Sequence, residues 1–542
     1  MNNSLFSFPR PANEPVQQYL IGSAERKALD AALEKMSKEE LDIPLIIGGK
    51  EIRTGNLGTV VMPHDHKHVL AKYHIAGEKE VLMAIDAAME AKAKWENMPW
   101  TERCSIVLKI GELLAKKYRA IINASTMLGQ SKNMYQAEID AACEAIDFLR
   151  YNCHYASQIY SDQPGSIVNQ LNRVEYRPLE GFVFALSPFN FTSIASNLSM
   201  SPVLMGNTVL WKPSSTSILS NYYLMKIYKE AGLPDGVINF IPGKGSVLGK
   251  VITSSKYLAG IHFTGSTETF DTLWKNVAEN RKTYIGYPKL VGETGGKDFL
   301  FAHKSANALD VATALVAGAF EYQGQKCSAA SRAYLPKSLW EDIKKNILMH
   351  IAKIKIGDVT DANNFMNAVI DEASFDNIKS YIDAAKASNE CEIVCGGGCD
   401  KSKGYFIEPT VILTKNPKFK SMVEEIFGPV LTIYVYEDEK FDETLDLCNT
   451  STAYGLTGAI FSNCRYTTEY MMDKLRYAAG NFYVNDKPTG AMVGLQPFGG
   501  ARASGTNDKA GSYLNLIRWT NPRAIKETFI PANEILYPYM MK

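Results

Sequence analysis

The chain has 542 residues, 46% hydrophobic and 21% charged, which suits two or more domains around large cores and excludes a disordered or fibrous protein. Its 58 basic and 58 acidic residues balance and no basic run exceeds two, so the partner expected is a small molecule and not a nucleic acid. Nine cysteines are an odd number and too sparse for a secreted disulfide scaffold, which points to free thiols in a reducing compartment.

From the N-terminus, Met1 to Pro15 is polar and proline-broken, with no apolar core for a signal peptide, and only Arg10 precedes Arg26, too few arginines for a mitochondrial presequence. No later apolar run reaches membrane-spanning length. The expectation is a cytoplasmic protein, or one already processed, with no membrane partner. Asn2 to Glu40 reads as an extended, partly helical arm. An apolar period over Ala137 to Tyr151 predicts a helix that carries Glu144, and Ser161 to Tyr176, with Pro164-Gly165 between extended pieces, predicts a hairpin.

Between Gly181 and Phe301 strands alternate with helices. Phe182–Leu186, Thr208–Trp211, Val237–Ile241 and Gly260–Phe263 read as short apolar strands. A helix from Ser217 to Ala231 stops at Gly232-Leu233-Pro234. This alternation predicts a parallel sheet with right-handed crossovers, whose ligand crevice lies outside the carboxyl ends of the strands. The loops there start at Ser187, Lys212, Gly243 and Gly265. They offer a point charge at Lys212, close backbone approach at Gly243 and Gly245, and Gly265-Ser266-Thr267 leading into a helix near Phe270 to Ala278 that could receive a pyrophosphate. Taken singly, each loop reads equally well as good turn chemistry.

Further on, Asp310, Val311, Leu315, Val316, Ala319 and Phe320 form a helical stripe ended by Gly324, and Cys327 follows in a polar turn. A lone cysteine is more often a small core residue than a nucleophile. Glu293, in Glu293-Thr294-Gly295-Gly296-Lys297, and Asn190, in Ser187-Pro188-Phe189-Asn190-Phe191, supply a base and an amide donor that favour the nucleophile. Cys391, Cys395 and Cys399 recur every four residues, but without a nearby histidine and across Gly396-Gly397-Gly398 they read as a turn, not as zinc ligands; no metal is expected. Asn481–Val484 and Asn515–Thr520 read as extended.

Seven stretches in order, Ser187-Pro188-Phe189-Asn190, Trp211-Lys212-Pro213-Ser214, Phe263-Thr264-Gly265-Ser266, Glu293-Thr294-Gly295-Gly296-Lys297, Gly324-Gln325-Lys326-Cys327, Glu424-Glu425-Ile426-Phe427-Gly428-Pro429 and Pro497-Phe498-Gly499-Gly500, resemble the aldehyde dehydrogenase superfamily from about Ile47 to Lys526. Glu180-Gly181-Phe182-Val183, Glu321 to Ser328 and Phe498 to Asp508 resemble the subgroup that oxidises glutamate 5-semialdehyde.

The resemblance implies an α/β fold: a Rossmann-type NAD domain over 41–157 and 177–295, a catalytic α/β domain over 296–485, oligomerisation elements at 158–176 and 486–542, and the N-terminal arm 1–40. It implies that Cys327 attacks the aldehyde, that Asn190 and the Cys327 amide hold the oxyanion, and that Glu293 is the base that hydrolyses the thioester. NAD would lie among Ser187, Pro188, Phe189, Lys212, Ser215, Gly243, Gly265, Ser266, Thr267, Thr269, Glu425 and Phe427. Ser215 stands where many members carry an acid, so NADP use stays open, and Phe270 replaces a common glycine.

For the substrate, the resemblance implies Ser328, Gly490 and Ala491 at the α-carboxylate, with Ala491 where a serine is common, Phe191 and Phe498 around the aliphatic chain, and Glu144 at the α-ammonium. Phe191 and Phe498 read equally as core. The swapped strands of the resembled fold imply a homodimer or larger homo-oligomer, and proline breakdown implies a functional link to a separate proline dehydrogenase, in the mitochondrial matrix if the source is eukaryotic. Another carboxylated aldehyde such as succinate semialdehyde, or a non-catalytic protein of the same fold, remain alternatives.

Overall fold

The computed structural model describes residues 6–541; the opening residues of the expected arm lie outside them. Phe182–Leu186, Thr208–Lys212, Ile238–Phe240, Leu258–Thr264 and Lys289–Glu293 form parallel strands, and Leu45–Ile47 with Lys50–Ile52 add an antiparallel edge. The chain steps outward from Phe182 through Thr208 to Ile238, then returns to the other side of Phe182 with Leu258 and Lys289. That reversal opens a crevice at the carboxyl ends.

Every residue of Phe182–Leu186 is buried, as a strand covered on both faces requires. Val183 and Ala185 enter the core beneath the helices Thr192–Leu204 and Ile218–Ala231. Phe182, Phe184 and Leu186 enter the opposite core, beneath Glu78–Glu96, Gly245–Thr253 and Thr267–Glu279. Full burial of each such phenylalanine contributes about 1.5–3 kcal/mol.

After Glu293 the chain crosses to a second sheet. Asp298–Ala302, Ala330–Pro336, Thr410–Thr414, Val430–Tyr436, Thr457–Phe461 and Asn481–Val484 run parallel, with Cys391–Cys395 antiparallel at one edge. Leu300 and Ala302 face the helices Ala308–Phe320 and Lys337–Ile351, while Phe299 and Phe301 face Phe441–Thr450 and Arg465–Lys474. Gly396 and Gly397 turn with positive φ between Cys395 and Cys399. No helix is long and apolar enough to cross a membrane among the described residues.

Three expected elements differ. The helix predicted over Ala137–Tyr151 is broken: Glu138–Glu144 is a π-turn and α-helix resumes over Ala145–Ser161. In that turn Glu138 and Asp140 turn to buried partners that an apolar period cannot register. Ser161–Tyr176 does not turn at Pro164-Gly165 as expected: it folds back at Val168-Asn169, where Ile167 bridges antiparallel to Gln170. The helix continues to Ser161, and Gln170–Pro178 pairs antiparallel with Thr520–Thr528 over nine residue pairs, a partner too distant to read locally. Asn515–Thr520 is not extended either, because Ser512 caps a short helix, Tyr513–Ile517, by accepting from the Leu514 N–H. Asn481–Val484 is extended, but it pairs with Thr457–Phe461 of its own chain.

Candidate active site

The helix Ala308–Phe320 begins at Asn307, whose side chain accepts from the Leu309 and Asp310 N–H groups, and it ends before Gly324. Tyr322, Gln323 and Gly324 then take left-handed backbone, φ 52°, 56° and 66°. Gly324 has a second reason to lack a side chain, since a Cβ would sit 2.2 Å from the Gly428 carbonyl oxygen. Such a turn persists only when its surroundings hold it. Tyr322 donates to the Gln130 carbonyl at 2.8 Å, Gln323 donates to the Ser131 and Ala368 carbonyls at 2.9 Å, and Gln325 accepts from the Ile370 N–H at 2.9 Å.

Cys327 leaves this turn half-buried on the wall of a cavity of about 330 Å³. Glu293, at the end of Lys289–Glu293, lines the same cavity. Residues Ser504–Thr506 clamp its strand: Thr294 N–H donates to Ser504 O at 3.0 Å, Thr506 N–H donates to Gly292 O at 2.9 Å, and Glu293 bridges to Gly505. Burial, opposed by the Lys509 ammonium, raises the Glu293 carboxyl to about 7. Burial, then the negative Glu293, Asp298 and Glu425, pushes the Cys327 thiol well above its ordinary value. Asn190 is buried and donates to the Gln325 carbonyl at 3.1 Å, two residues before the thiol.

The support for Asn190 is a set that sequence reading missed. Asp140 accepts from the Thr192 and Ser193 N–H groups at 3.0 and 2.9 Å, fixing the start of the helix that follows Asn190 and Phe191. Lys132 meets Asp140 at 2.7 Å, both fully buried, and lies 3.9 Å above the centre of the Phe191 ring. Single charged residues scattered along a chain give no signal of such pairing.

At the crevice, Ser187 is buried and its hydroxyl accepts from the Trp211 indole at 3.0 Å. Pro188 and Phe189 follow it, and the Phe189 ring meets that of Phe427 edge-on at 5.7 Å. Lys212 ends its strand half-buried with no acid partner among the described residues, and burial lowers its pKa. An ammonium so placed suits an anion or ribose hydroxyls. Ser215 is exposed beside it. Gly243 leaves no room for a Cβ, which would meet Leu248 at 2.7 Å.

Gly265 leads to Ser266, which caps the helix Thr267–Glu279 by accepting from the Thr269 N–H; Thr269 is exposed, and the Thr267 hydroxyl donates to the Ala503 carbonyl. Glu425 accepts from the Gly296 N–H at 2.8 Å, and Phe427 has positive φ, 58°. A half-buried cation, a glycine cradle and a helix N-terminus together fit a dinucleotide.

Away from Cys327 the cavity is walled by Glu144, Phe191, Ser328, Gly490, Ala491 and Phe498. Ser328 and Thr489 hydroxyls meet at 2.8 Å, and Gly490 has φ 101°. Phe498 packs on Phe148, so it serves core and cavity at once. Glu144 accepts from the Ser193 hydroxyl at 3.0 Å, and burial, then the negative Asp140, raises it to about 8. Lys326, Lys487, Glu321 and Lys509 also line this cavity and were not singled out from the sequence.

The sequence model described as "Aldehyde dehydrogenase family" matches residues 53–525. The chain is similar to the mitochondrial delta-1-pyrroline-5-carboxylate dehydrogenase of Dictyostelium discoideum, 53% identical over 99% of this chain and 96% of that one. It is similar to the human mitochondrial enzyme of the same name, 48% identical over 98% of this chain and 94% of the other. Among solved structures it resembles the Mycobacterium tuberculosis delta-pyrroline-5-carboxylate dehydrogenase bound with NAD, with TM-score 0.96, 48% identity and full coverage of both chains.

Proposed function

The chain belongs to the aldehyde dehydrogenase family, and from that premise we propose that it oxidises L-glutamate 5-semialdehyde, the open form of 1-pyrroline-5-carboxylate, to L-glutamate with NAD, the second step of proline degradation. The observation that carries this reading is one cavity walled by Cys327 and Glu293, with the acid Glu144 and the bases Lys326 and Lys487 on its sides. Opposite charges suit a substrate with an ammonium and a carboxylate at one end and an aldehyde at the other.

Cys327 gives up its proton to solvent, and its sulfur attacks the aldehyde carbon. The carbonyl oxygen becomes an oxyanion that the Asn190 amide and the Cys327 N–H receive as charge develops. Lys212, Gly265, Ser266 and Glu425, with Ser187, Pro188, Phe189, Ser215, Gly243, Thr267, Thr269 and Phe427 around them, would hold NAD, which would supply the acceptor for the hydride that leaves the former aldehyde carbon. The acyl group then rests on Cys327 as a thioester. Glu293, held near neutrality, takes a proton from the water that cleaves it, the match of pKa to working pH that a general base needs.

Glu144 pairs the α-ammonium, Ser328 and the backbone at Gly490 and Ala491 receive the α-carboxylate, and Phe191 and Phe498 flank the chain. A carboxyl raised to about 8 favours a second reading, an aldehyde with a carboxylate but no amine, such as succinate semialdehyde. An incoming ammonium favours the ionised form and removes that objection.

The domain division is part of the same proposal: 41–157 with 177–295 for the cofactor, 296–485 for catalysis, 1–40 as an arm, and 158–176 with 486–542 for assembly. The two-stranded pair Gln170–Pro178 and Thr520–Thr528 supports a homodimer as the smallest unit, because the outer edge of Thr520–Thr528 carries no further strand among the described residues. A separate proline dehydrogenase supplies the substrate. Mitochondrial relatives in Dictyostelium and human support the same compartment.

Initial rates of NADH formation with 1-pyrroline-5-carboxylate, succinate semialdehyde and propanal, for wild type and Cys327→Ala, test the reading. A preference for the first of about a hundredfold, lost entirely in the variant, supports it; equal rates reduce it to a general aldehyde dehydrogenase.

A further inference from the structure

Glu321 stands between two cations. Its Oε2 meets the Lys326 ammonium at 2.9 Å and its Oε1 meets the Lys487 ammonium at 2.6 Å. Lys326 and Glu321 are nearly enclosed, 5% and 13% exposed, and Lys487 opens furthest to the cavity at 26%. One carboxylate against two ammonium groups leaves one net positive charge. Glu321 opens the turn that follows the helix Ala308–Phe320 and Lys326 closes it just before Cys327, while Lys487 arrives from the loop after Asn481–Val484.

Lys487 is placed by packing as well as charge. A Cβ on Gly490 would lie 3.6 Å from Lys487 Cε, and one on Gly318 would lie 3.5 Å from Lys487 Cβ, so its stem runs between the nucleophile's helix and the Gly490 turn. The Ser328–Thr489 hydroxyl contact joins the same two segments a second time. Ala491 brings no hydroxyl to this turn. Glu144 adds an acid to the lining of the same cavity, and Asp140, near it in the chain, is neutralised by Lys132.

We infer that Lys487, oriented by Glu321 and Lys326, is the residue that selects a carboxylate on the substrate: its ammonium supplies at the Gly490 turn the attraction that an alanine at 491 does not. This rests on the substrate reading above and adds a residue to it. Ion pairs of this enclosure are worth more than surface ones because water screens them less. Glu321 is the positioning residue, since it fixes where the Lys487 charge stands.

The test uses the full-length enzyme at saturating NAD. KM and kcat are measured for 1-pyrroline-5-carboxylate and for propanal, together with inhibition of propanal oxidation by glutarate, in wild type, Lys487→Met and Lys487→Arg. We expect Lys487→Met to raise KM for the carboxylated substrate, and the glutarate inhibition constant, at least about tenfold more than it raises KM for propanal, and Lys487→Arg to restore most of the difference.

Equal losses on both aldehydes, or an unchanged glutarate constant, would overturn the assignment. Wild type that oxidises propanal but not 1-pyrroline-5-carboxylate would defeat the substrate reading instead, and the glutarate constant would still decide the role of Lys487. If Lys487→Met fails to fold, Lys487→Gln takes its place, and glutarate inhibition no weaker in that variant than in wild type overturns the assignment as well.

Discussion

Gly296 and Cys327 touch: a Cβ on Gly296 would lie 2.3 Å from the Cys327 carbonyl oxygen. The stretch that carries the chain from Glu293 to the second sheet therefore passes directly against the nucleophile's backbone, and the two reacting groups are set by one contact. Gly296→Ala should push them apart. We expect kcat/KM to fall by about a hundredfold, the loss that a displacement of about 1 Å brings, with folding retained by circular dichroism. An activity close to wild type would mean that the linker can shift without moving Cys327.

Glu293 must be ionised to take a proton from water. With its carboxyl at about 7, turnover should rise with pH through neutrality and level off above it. Lys509 opposes the burial that raises Glu293, so Lys509→Met should move that rising limb to higher pH. Steady-state pH profiles of both enzymes decide this; coincident limbs would remove Lys509 from the account.

Glu293→Gln should form the first equivalent of NADH and then stall, because the thioester forms without a base but waits for water. General-base help is worth roughly 10² to 10⁴ in rate, which sets the expected ratio of burst to steady state. Stopped-flow absorbance reads both phases. An absent burst with normal NAD binding would give Glu293 an earlier task.

Asn190→Ala removes one of two oxyanion donors. A loss of about 2.7–4 kcal/mol corresponds to a hundredfold or greater fall in kcat. Turnover within about threefold of wild type, measured at saturating substrate, would exclude Asn190 from the reaction.

Lys132→Met leaves Asp140 buried without its cation, a change that costs about 3–5 kcal/mol when such a pair is broken on one side. The unfolding midpoint in urea should drop accordingly. Because Asp140 also holds the helix start after Phe191, kcat should fall with stability, and Lys132→Arg should recover less of it than of the charge, since the site above Phe191 and Tyr322 is shaped for an ammonium.

The parallel strands were legible because burial on both faces writes Phe182–Leu186 as an unbroken apolar run with turn residues at each end. Cys327, Glu293 and Asn190 were legible as motifs; Cys327 and Glu293 line one cavity, and Asn190 donates to the Gln325 carbonyl two residues before the thiol. The buried ions were not. Asp140 and Lys132, or Glu321 and Lys487, look in sequence like solvated charges, since nothing local marks a residue whose partner arrives from another element. The misread hairpin at Ser161–Tyr176 failed for the same reason, its true partner being some 350 residues away in Thr520–Thr528.

That distance has a consequence for how the enzyme comes into being. The strand bearing Glu293 is gripped by Ser504 to Thr506, and Gln170–Pro178 is stitched to Thr520–Thr528, partners that each lie far later in the chain than the strand they hold. Before those later residues dock, the turn that leads to Cys327 can form, but the strand of Glu293 has no clamp. Contacts between such remote segments form slowly. The order of the Glu293 strand is thus tied to residues far downstream of it, and the wall of the cavity that bears Glu293 takes its final place only when that later segment has docked.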